Sequence, residues 1–205
     1  AAKESFDTTW ETKGRATKWA LYALGADVCL WAEDYEAAVT YCDAILNARG
    51  VGAPAFLATA THSSWFSMFN PGNSNESIFE IQYNYEENQT NNLPKLFDNE
   101  HADGIYRISR ALTQMFNSEY SATLYEMKEA VRSMYGGYFV GPDATIFESA
   151  TVSYVWKYLG SQTLSDKRTA SYYDPNFIIY RVADVMLMKA EALILRTHGE
   201  NIEDR

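Results

Sequence analysis

The stretch from Gly14 to Gly50 constrains the fold of this chain more than any other. It reads GRATKWALYALGADVCLWAEDYEAAVTYCDAILNARG, two helical segments with almost nothing between them. The first helix is predicted to begin near Gly14, with Thr12 as its N-cap, and to end near Ala32. Its apolar residues recur at helical spacing, which predicts a buried stripe of Ala20, Leu21, Leu24, Val28 and Trp31. A hairpin this tight reads as scaffold, which leaves recognition to the irregular chain that follows.

The second helix of the hairpin carries its own start and stop signals. Asp34 is predicted to cap its N-terminus, and the acidic first turn suits the helix dipole. Gly50 and Gly52 then close the segment. The buried face is predicted to consist of Tyr35, Ala38, Val39, Cys42, Ile45 and Leu46.

The hairpin resembles a tetratricopeptide unit. In DYEAAVTYCDAIL, the places of that family's Tyr, Ala and larger residue are taken by Tyr35, Ala38 and Cys42. The small-residue position of the first helix then falls on Ala26, beside Gly25, where small side chains let two helices approach closely. One such unit cannot bury both of its faces, so neighbouring helices are expected.

The sequence NFIIYRVADVMLMKAEALILRTHGE predicts a helix over residues 177–199, the first helix of a second hairpin. Apolar side chains cover most of its circumference, which is typical of a buried helix. These are Val182, Val185, Met186, Leu187, Ala190, Leu193 and Ile194. We expect this helix to pack in one layer with the 14–49 hairpin. Its own partner helix is expected to start in NIEDR, so the native chain is expected to continue beyond Arg205.

Residues 50–176 have a mixed, loop-rich character. ESIFEIQYNY predicts a short strand from Ile78 to Tyr83, and SYVWKYLG predicts a second one. FNSEYSATLYEMKEAVRSMYGG predicts a helix closed by Gly136 and Gly137. The predicted fold is therefore mainly α, a tetratricopeptide-like helical scaffold with long irregular insertions and a few short β-strands. Long ordered loops in a compact domain are usually functional.

The net charge and the absence of certain motifs argue against several classes of function. The chain has 17 basic and 27 acidic residues, a net charge of −10, and no Lys/Arg-rich run, which argues against a nucleic-acid partner. No apolar run is long enough to cross a bilayer. GxSxG, HExxH, GxxxxGK[ST] and GxGxxG are all absent, so we expect no enzyme and no cofactor. No Cys/His cluster suggests zinc, and Cys29 and Cys42 are expected to be buried thiols.

The segment DNEHADG is the one oxygen-rich candidate for calcium. It contains Asp98, Glu100, His101 and Asp103, but its spacing misses the EF-hand pattern. We expect a solvated loop and no metal.

Four motifs in order resemble the SusD/RagB family. They are KGRATKWALYALGADVCLWAEDYEAAVTYCDAIL, NESIFEIQY, WKYLG and IIYRVADVMLMKAEALI. The last is the most specific, with Arg181, Ala183, Asp184, Leu187, Met188, Ala190, Glu191 and Ala192 at its positions. The resemblance covers most of this chain but only the middle of the family's length. The resemblance implies that the native protein also has the family's N-terminal third, with its lipid-bearing cysteine, and a part after the last motif.

This resemblance implies a non-catalytic glycan-binding lipoprotein of Bacteroidetes. Such proteins sit on the outer face of the outer membrane as a lid over a SusC-like TonB-dependent transporter and hold an oligosaccharide for import. The lipid anchor would be the only membrane attachment. It also implies one incomplete domain over residues 1–205, in which 14–49 and 177–199 are scaffold and 50–176 faces the ligand. We interpret Arg181 and Asp184 as structural, tying the helix to a neighbouring segment.

The family has no fixed sugar-binding motif, so the candidate ligand residues come from composition and position. Aromatic rings stack on the C–H face of a sugar, and amides bind its hydroxyl rim. QYNYEENQTNNLPKLFDNEHADGIYR follows the first predicted strand and supplies Tyr85, Asn91, Asn92, Phe97 and Tyr106, and Trp65 is a further candidate. The alternative is that Phe97 and Tyr106 pack the loop against the helices and that Trp65 belongs to the core.

Two other functions stay open from the residues alone. A helical-repeat protein that binds a peptide or a protein would use the same scaffold. A glycoside hydrolase is weaker, because it needs two carboxylates at a set separation and nothing among the 27 acidic residues points to such a pair.

Overall fold

A computed structural model describes residues 13–57, 65–98, 105, 106, 109, 155–160, 168 and 173–200. The chain forms two compact units. The first consists of Ala1–Leu57, Asn73–Ile81 and Ile178–Arg205, and the second of Ala58–Gly72 and Gln82–Phe177. In the described part, helices predominate and two short strands form a single sheet, so the predicted mainly-α fold is confirmed.

Helix α1 spans Lys18–Trp31 and starts later than the sequence predicted. Its N-cap is Thr17, whose hydroxyl oxygen accepts a hydrogen bond from the Ala20 amide at 3.3 Å. Thr17 has extended backbone angles, φ −92° and ψ 172°, so α1 does not extend back through Thr17, and residues 13–16 before it are not helical. The predicted start near Gly14 with a Thr12 cap is therefore wrong.

The predicted buried stripe of α1 is also largely wrong. The buried residues are Trp19, Ala20, Ala23 and Ala26, whereas Leu24, Val28 and Trp31 are 49%, 57% and 86% exposed. The reason is close packing on the small-residue side. At Gly25, an added Cβ would lie 3.1 Å from a ring carbon of Tyr41 on the next helix. The predicted role of Gly25 and Ala26 in letting the helices approach is therefore confirmed.

Helix α2 spans Tyr35–Leu46 and follows its prediction closely. The Asp34 carboxylate accepts a hydrogen bond from the Ala37 amide at 3.1 Å, as expected for its N-cap. Ala38, Cys42 and Ile45 are fully buried. The other three predicted residues, Tyr35, Val39 and Leu46, are half-buried.

Strand β1 spans Ser77–Ile81 and pairs with β2, which spans Phe177–Arg181. The first prediction, a strand over 78–83, is confirmed to within two residues. The helix predicted over residues 177–199 is present but starts later, at Val182, because FIIYR is a β-prone run that pairs with β1. Helix α3 spans Trp156–Leu159 and belongs to the second unit. Helix α4 spans Val182–Glu200. The Asp184 carboxylate accepts a hydrogen bond from the Arg181 amide at 3.0 Å, where α4 begins.

Helix α4 packs on the hairpin, as expected. Lys189 pairs with Asp43 at 2.6 Å, Arg196 pairs with Glu36 at 3.0 Å, and the Tyr180 hydroxyl donates to Asp27 at 2.6 Å. The apolar core of the first unit contains Trp19, Ala20, Ala23, Ala26, Cys42, Ile45, Ala53, Ile78, Val182 and Val185.

In the described part of the chain, α4 is covered on one side, which differs from its predicted burial on nearly all sides. Val182, Val185 and Ala192 are buried, while Leu187 and Ile194 are 68% and 56% exposed. Arg181 lies with its Nη1 atom 3.7 Å from the buried Glu76 carboxylate and its Nε atom 3.7 Å from the carboxylate of Asp184. The predicted structural role of Arg181 and Asp184, tying α4 to another segment, is therefore confirmed.

The described part of the second unit consists of short elements. Two 3-10 turns span Tyr85–Glu87 and Leu93–Leu96. The strand predicted in SYVWKYLG is wrong, because the amides of Tyr158 and Leu159 both donate to the Val155 carbonyl at 3.1 Å and so form a helical turn. The helix predicted in FNSEYSATLYEMKEAVRSMYGG lies outside the described residues. Within the described chain, no helix has both the length and the apolar character to cross a membrane.

Candidate functional site

Two buried polar side chains hold the 82–98 segment of the second unit in place. The side-chain amide nitrogen of Asn91 donates a hydrogen bond to the Pro175 carbonyl at 2.8 Å, and the side-chain oxygen accepts one from the Leu93 backbone amide at 2.8 Å. Asp98 is fully buried and accepts a hydrogen bond from the Tyr173 hydroxyl. Burying such groups is costly unless they are bonded, so these contacts define the path of the segment. Asp98 is therefore not part of a solvated loop; Glu100, His101 and Asp103 lie outside the described residues.

Two further candidates of the same segment, Tyr85 and Asn92, lie at its two 3-10 turns. Asn84 caps the first 3-10 turn by accepting a hydrogen bond from the Glu86 amide at 3.0 Å. Asn88 then reverses the chain with a left-handed φ of 58°. Tyr85 is half-buried in this turn and Asn92 is exposed.

Five aromatic side chains of the second unit form a continuous series of ring contacts, which we call the ring series. It runs from Trp65 to Phe69, Tyr158, Phe97 and Tyr106, with successive centroid distances of 4.9, 6.4, 5.5 and 6.1 Å. Phe97 and Tyr158 are nearly parallel, at 13°. The series begins at Trp65, which is 4% exposed, and ends at Tyr106, which is 57% exposed. The fold thus brings together three of the predicted ligand residues.

Tyr158 and Lys157 join this group although sequence reasoning did not select them. The Lys157 ammonium lies 4.9 Å from the ring centroid of Tyr158 and 5.7 Å from that of Phe69. Both distances fall within the range of a cation–π contact. The available signal was a Lys between aromatics in WKYLG, which the strand prediction obscured.

Buried polar contacts fix the end of α3, which carries Tyr158. The Gly160 carbonyl accepts hydrogen bonds from the Asn70 amide at 3.1 Å and from Arg168 Nε at 2.9 Å. Arg168 also pairs with Asp174. Burial lowers the pKa of Arg168, and the Asp174 carboxylate opposes that shift. The ring of Tyr158 is therefore carried on a short helix whose end is anchored by hydrogen bonds.

The chemistry that the ring series offers is stacking. Its exposed end at Tyr106 presents an aromatic face and edges. Among the described residues, no group of His, Cys, Asp or Glu could hold a metal ion. Aromatic faces with amides nearby suit a ligand that has both apolar and polar surfaces, such as a sugar.

Part of the chain matches a known protein family. The model described as the SusD family matches residues 106–204. This region is similar to the SusD family. It contains Tyr106, Lys157, Tyr158 and the Arg181–Asp184 motif, whereas Trp65, Tyr85 and Phe97 precede it. No curated protein matches the chain significantly.

Solved structures show that the SusD-like fold extends over nearly the whole chain. A SusD superfamily protein from Bacteroides thetaiotaomicron VPI-5482 is 18% identical with a TM-score of 0.62, and the match covers 99% of this chain and 42% of that one. A SusD-like protein from Bacteroides fragilis NCTC 9343 is 19% identical with a TM-score of 0.59, and the match covers 98% of this chain and 47% of that one. The chain therefore spans less than half the length of either relative. The predicted SusD-like fold is confirmed, and the predicted family is matched over residues 106–204.

Proposed function

We propose that this protein binds an oligosaccharide at the cell surface without cleaving it. The observation that carries the proposal is the ring series, which is anchored at the buried Trp65 and reaches solvent at Tyr106. An exposed aromatic at the end of a packed series is held in place, so a ligand that stacks on it does not have to order it first.

Each candidate residue takes a distinct role in this proposal. Tyr106, Phe97 and Tyr158 offer ring surface to the sugar, and Tyr85 and the exposed Asn92 lie on the adjoining segment for further contacts. Because Phe97 and Tyr158 stack on each other, part of their area is already covered, which makes Tyr106 the main stacking partner. Asn91 and Trp65 are buried, and we assign them to support of the site rather than to direct contact.

The SusD-family region and the SusD-like fold support a family-level role in glycan binding. From that role we propose delivery of the bound glycan to a SusC-like TonB-dependent transporter. We also propose a location on the outer face of the outer membrane, through a lipid anchor. In this scheme residues 14–49 and 177–199 are scaffold, and residues 50–176 face the ligand.

The proposal is tested by titrating the full-length protein with oligosaccharides of different linkage and with peptides of similar size. We expect binding of at least one class of glycan, measured by calorimetry, and no release of reducing ends during prolonged incubation. Binding of peptides alone would favour a helical-repeat protein that recognises a protein partner. Release of reducing ends would show a glycoside hydrolase instead.

A further inference from the structure

The first unit contains a cavity of about 560 Å³ between the C-terminal end of α2 and the beginning of α4. All of the residues that line it belong to this unit and to the described part of the chain. Most of them are apolar, and Phe56 and Met186 are 42% and 44% exposed, so both present apolar surface to a ligand. The two polar side chains in the lining are those of Arg49 and Asn75. A mostly apolar cavity of this size with a few polar groups is typical of a binding site for a small ligand.

The sequence after α2 shapes this cavity. Gly50 adopts a positive φ of 98°, which glycine takes readily, and its carbonyl accepts a hydrogen bond from the Ala53 amide at 3.3 Å. Farther along, the Ala55 amide donates to the Asn75 carbonyl at 3.1 Å, which fixes the path of the segment. The chain therefore turns directly after α2 and supplies Phe56 as the aromatic wall of the cavity.

Arg49 places a positively charged guanidinium at the cavity. Its Nη1 atom donates to the carbonyls of Leu46, the last residue of α2, and Ala48 at 3.1 and 2.6 Å. A guanidinium has five N–H donors, so those on Nε and Nη2 remain for a ligand. Within the described chain Arg49 forms no ion pair, and no acidic side chain lines the cavity. The group is thus held in position before a ligand arrives, which lowers the entropic cost of binding.

We propose that this cavity binds a short peptide that carries apolar side chains and ends in a free carboxylate. The fork of a guanidinium matches a carboxylate in both charge and geometry, which suits Arg49 to the C-terminus of the peptide. Asn75 is exposed, and its side-chain amide can donate to or accept from a peptide group. Capture of a terminal carboxylate is a recurring mode of peptide recognition. This inference concerns the first unit alone and does not depend on glycan binding.

The choice of a peptide follows from what other ligands would leave unused. A neutral sugar would place no anion on Arg49 and would meet mostly apolar walls. A fatty acid would satisfy Arg49 and the apolar walls but would offer no amide to Asn75. A peptide with a free C-terminus matches all three features of the lining.

The experiment compares two peptides that differ only in the charge at the C-terminus. Acetyl-Ala-Leu-Phe with a free carboxylate and the same peptide as its C-terminal amide are titrated into the full-length protein by calorimetry. The acid should bind roughly fivefold more tightly or better, because only the acid forms a charge-assisted pair with Arg49. Arg49→Met should reduce that ratio to about one. Arg196→Met is the matched control and should leave the ratio unchanged, because Arg196 pairs with Glu36 and does not line the cavity.

Two further variants test the other walls of the cavity. Asn75→Asp places a negative charge at the cavity with little change in size, so it should weaken the acid more than the amide. Phe56→Ala removes apolar surface, so it should weaken both peptides to a similar degree. Asn75 is exposed and its side chain forms no hydrogen bond in the described chain, so Asn75→Asp should keep the melting temperature of the unmodified protein. It therefore decides the question even if Arg49→Met destabilises the fold.

The inference is overturned if the amide binds as tightly as the acid, or if neither peptide binds to the full-length protein. It is also overturned if a folded Arg49→Met or Asn75→Asp variant leaves the ratio unchanged. Octanoate has a carboxylate and an apolar chain but no peptide group, and it should bind more weakly than the free-acid peptide. Equal or tighter binding of octanoate would overturn the assignment of the cavity to peptides.

Discussion

Replacing Tyr106 with Ala tests the role of the ring series most directly. Tyr106 is 57% exposed and touches Phe97 at a centroid distance of 6.1 Å. Because less than half of the side chain is buried, its removal should cost about 1 kcal/mol of folding stability. For a domain of this size, that corresponds to a fall in Tm of about 2 to 4 °C.

The effect on binding should be larger than the effect on stability. Loss of a stacking aromatic should cost about 1 to 2 kcal/mol of binding free energy, a rise in Kd of about five- to thirty-fold. Calorimetric titration with the preferred glycan measures Kd, and scanning calorimetry measures Tm. Tyr106→Phe keeps the ring and should retain most of the affinity. Ile105→Ala removes an exposed apolar neighbour that has no ring and serves as the control.

Trp65 should show the opposite behaviour, because it is 4% exposed. Trp65→Ala should cost about 3 to 5 kcal/mol of stability, as large-to-small changes in a core do. The reasoning would be refuted if Tyr106→Ala left Kd unchanged while lowering Tm as much as Trp65→Ala does. That pattern would make Tyr106 a packing residue and the exposed end of the series structural.

Three further predictions concern the first unit. Gly25→Val should destabilise the protein by about 1 to 3 kcal/mol in urea denaturation, because even an added Cβ lies 3.1 Å from the Tyr41 ring. Unchanged stability would mean that α1 and α2 can move apart to make room. Burial and the hydrogen bond to Asp27 raise the pKa of Tyr180 to about 12, above an unfolded value of about 10. The stability that Tyr180 contributes is therefore complete below about pH 10 and is lost as the pH rises towards 12. Tyr180→Phe should lower the free energy of unfolding by about 1 kcal/mol near neutral pH. A stability difference between the two proteins that stayed constant with rising pH would contradict this. Burial raises the pKa of the Cys42 thiol to about 11, so mass spectrometry after alkylation at pH 8 should find Cys42 modified only in unfolded protein.

Several local features were predictable from the sequence because their causes are local. Asp34 caps α2 through the Ala37 amide three residues away, and this short-range contact leaves a recognisable pattern. The strand at residues 77–81 follows from a β-prone run beside turn residues. The small residues at Gly25 and Ala26 likewise signal a close helix contact, which the Tyr41 ring confirms.

Other predictions failed because a distant segment decided the outcome. The sequence of α1 offers two faces, one of small residues with Trp19 and one of Leu24, Val28 and Trp31. Periodicity favours the larger apolar side chains, but α2 and Tyr41 pack against the small ones, where the backbones approach most closely. Residues 177–181 form a strand because β1 lies beside them, although the helical pattern that follows suggests otherwise.

In the candidate site, too, some features follow from the sequence and others from contacts between distant segments. By itself, the sequence determined the family motifs, the scaffold hairpin, and the concentration of aromatics and amides after β1. Only the tertiary structure decided that Asn91 holds the backbone, that Trp65 is buried, and that Tyr158 and Lys157 join Phe97 and Tyr106. Ring stacking, burial and hydrogen bonds between residues up to 90 positions apart in this site depend on where the chain returns in space. Neither composition nor spacing along the chain contains that information.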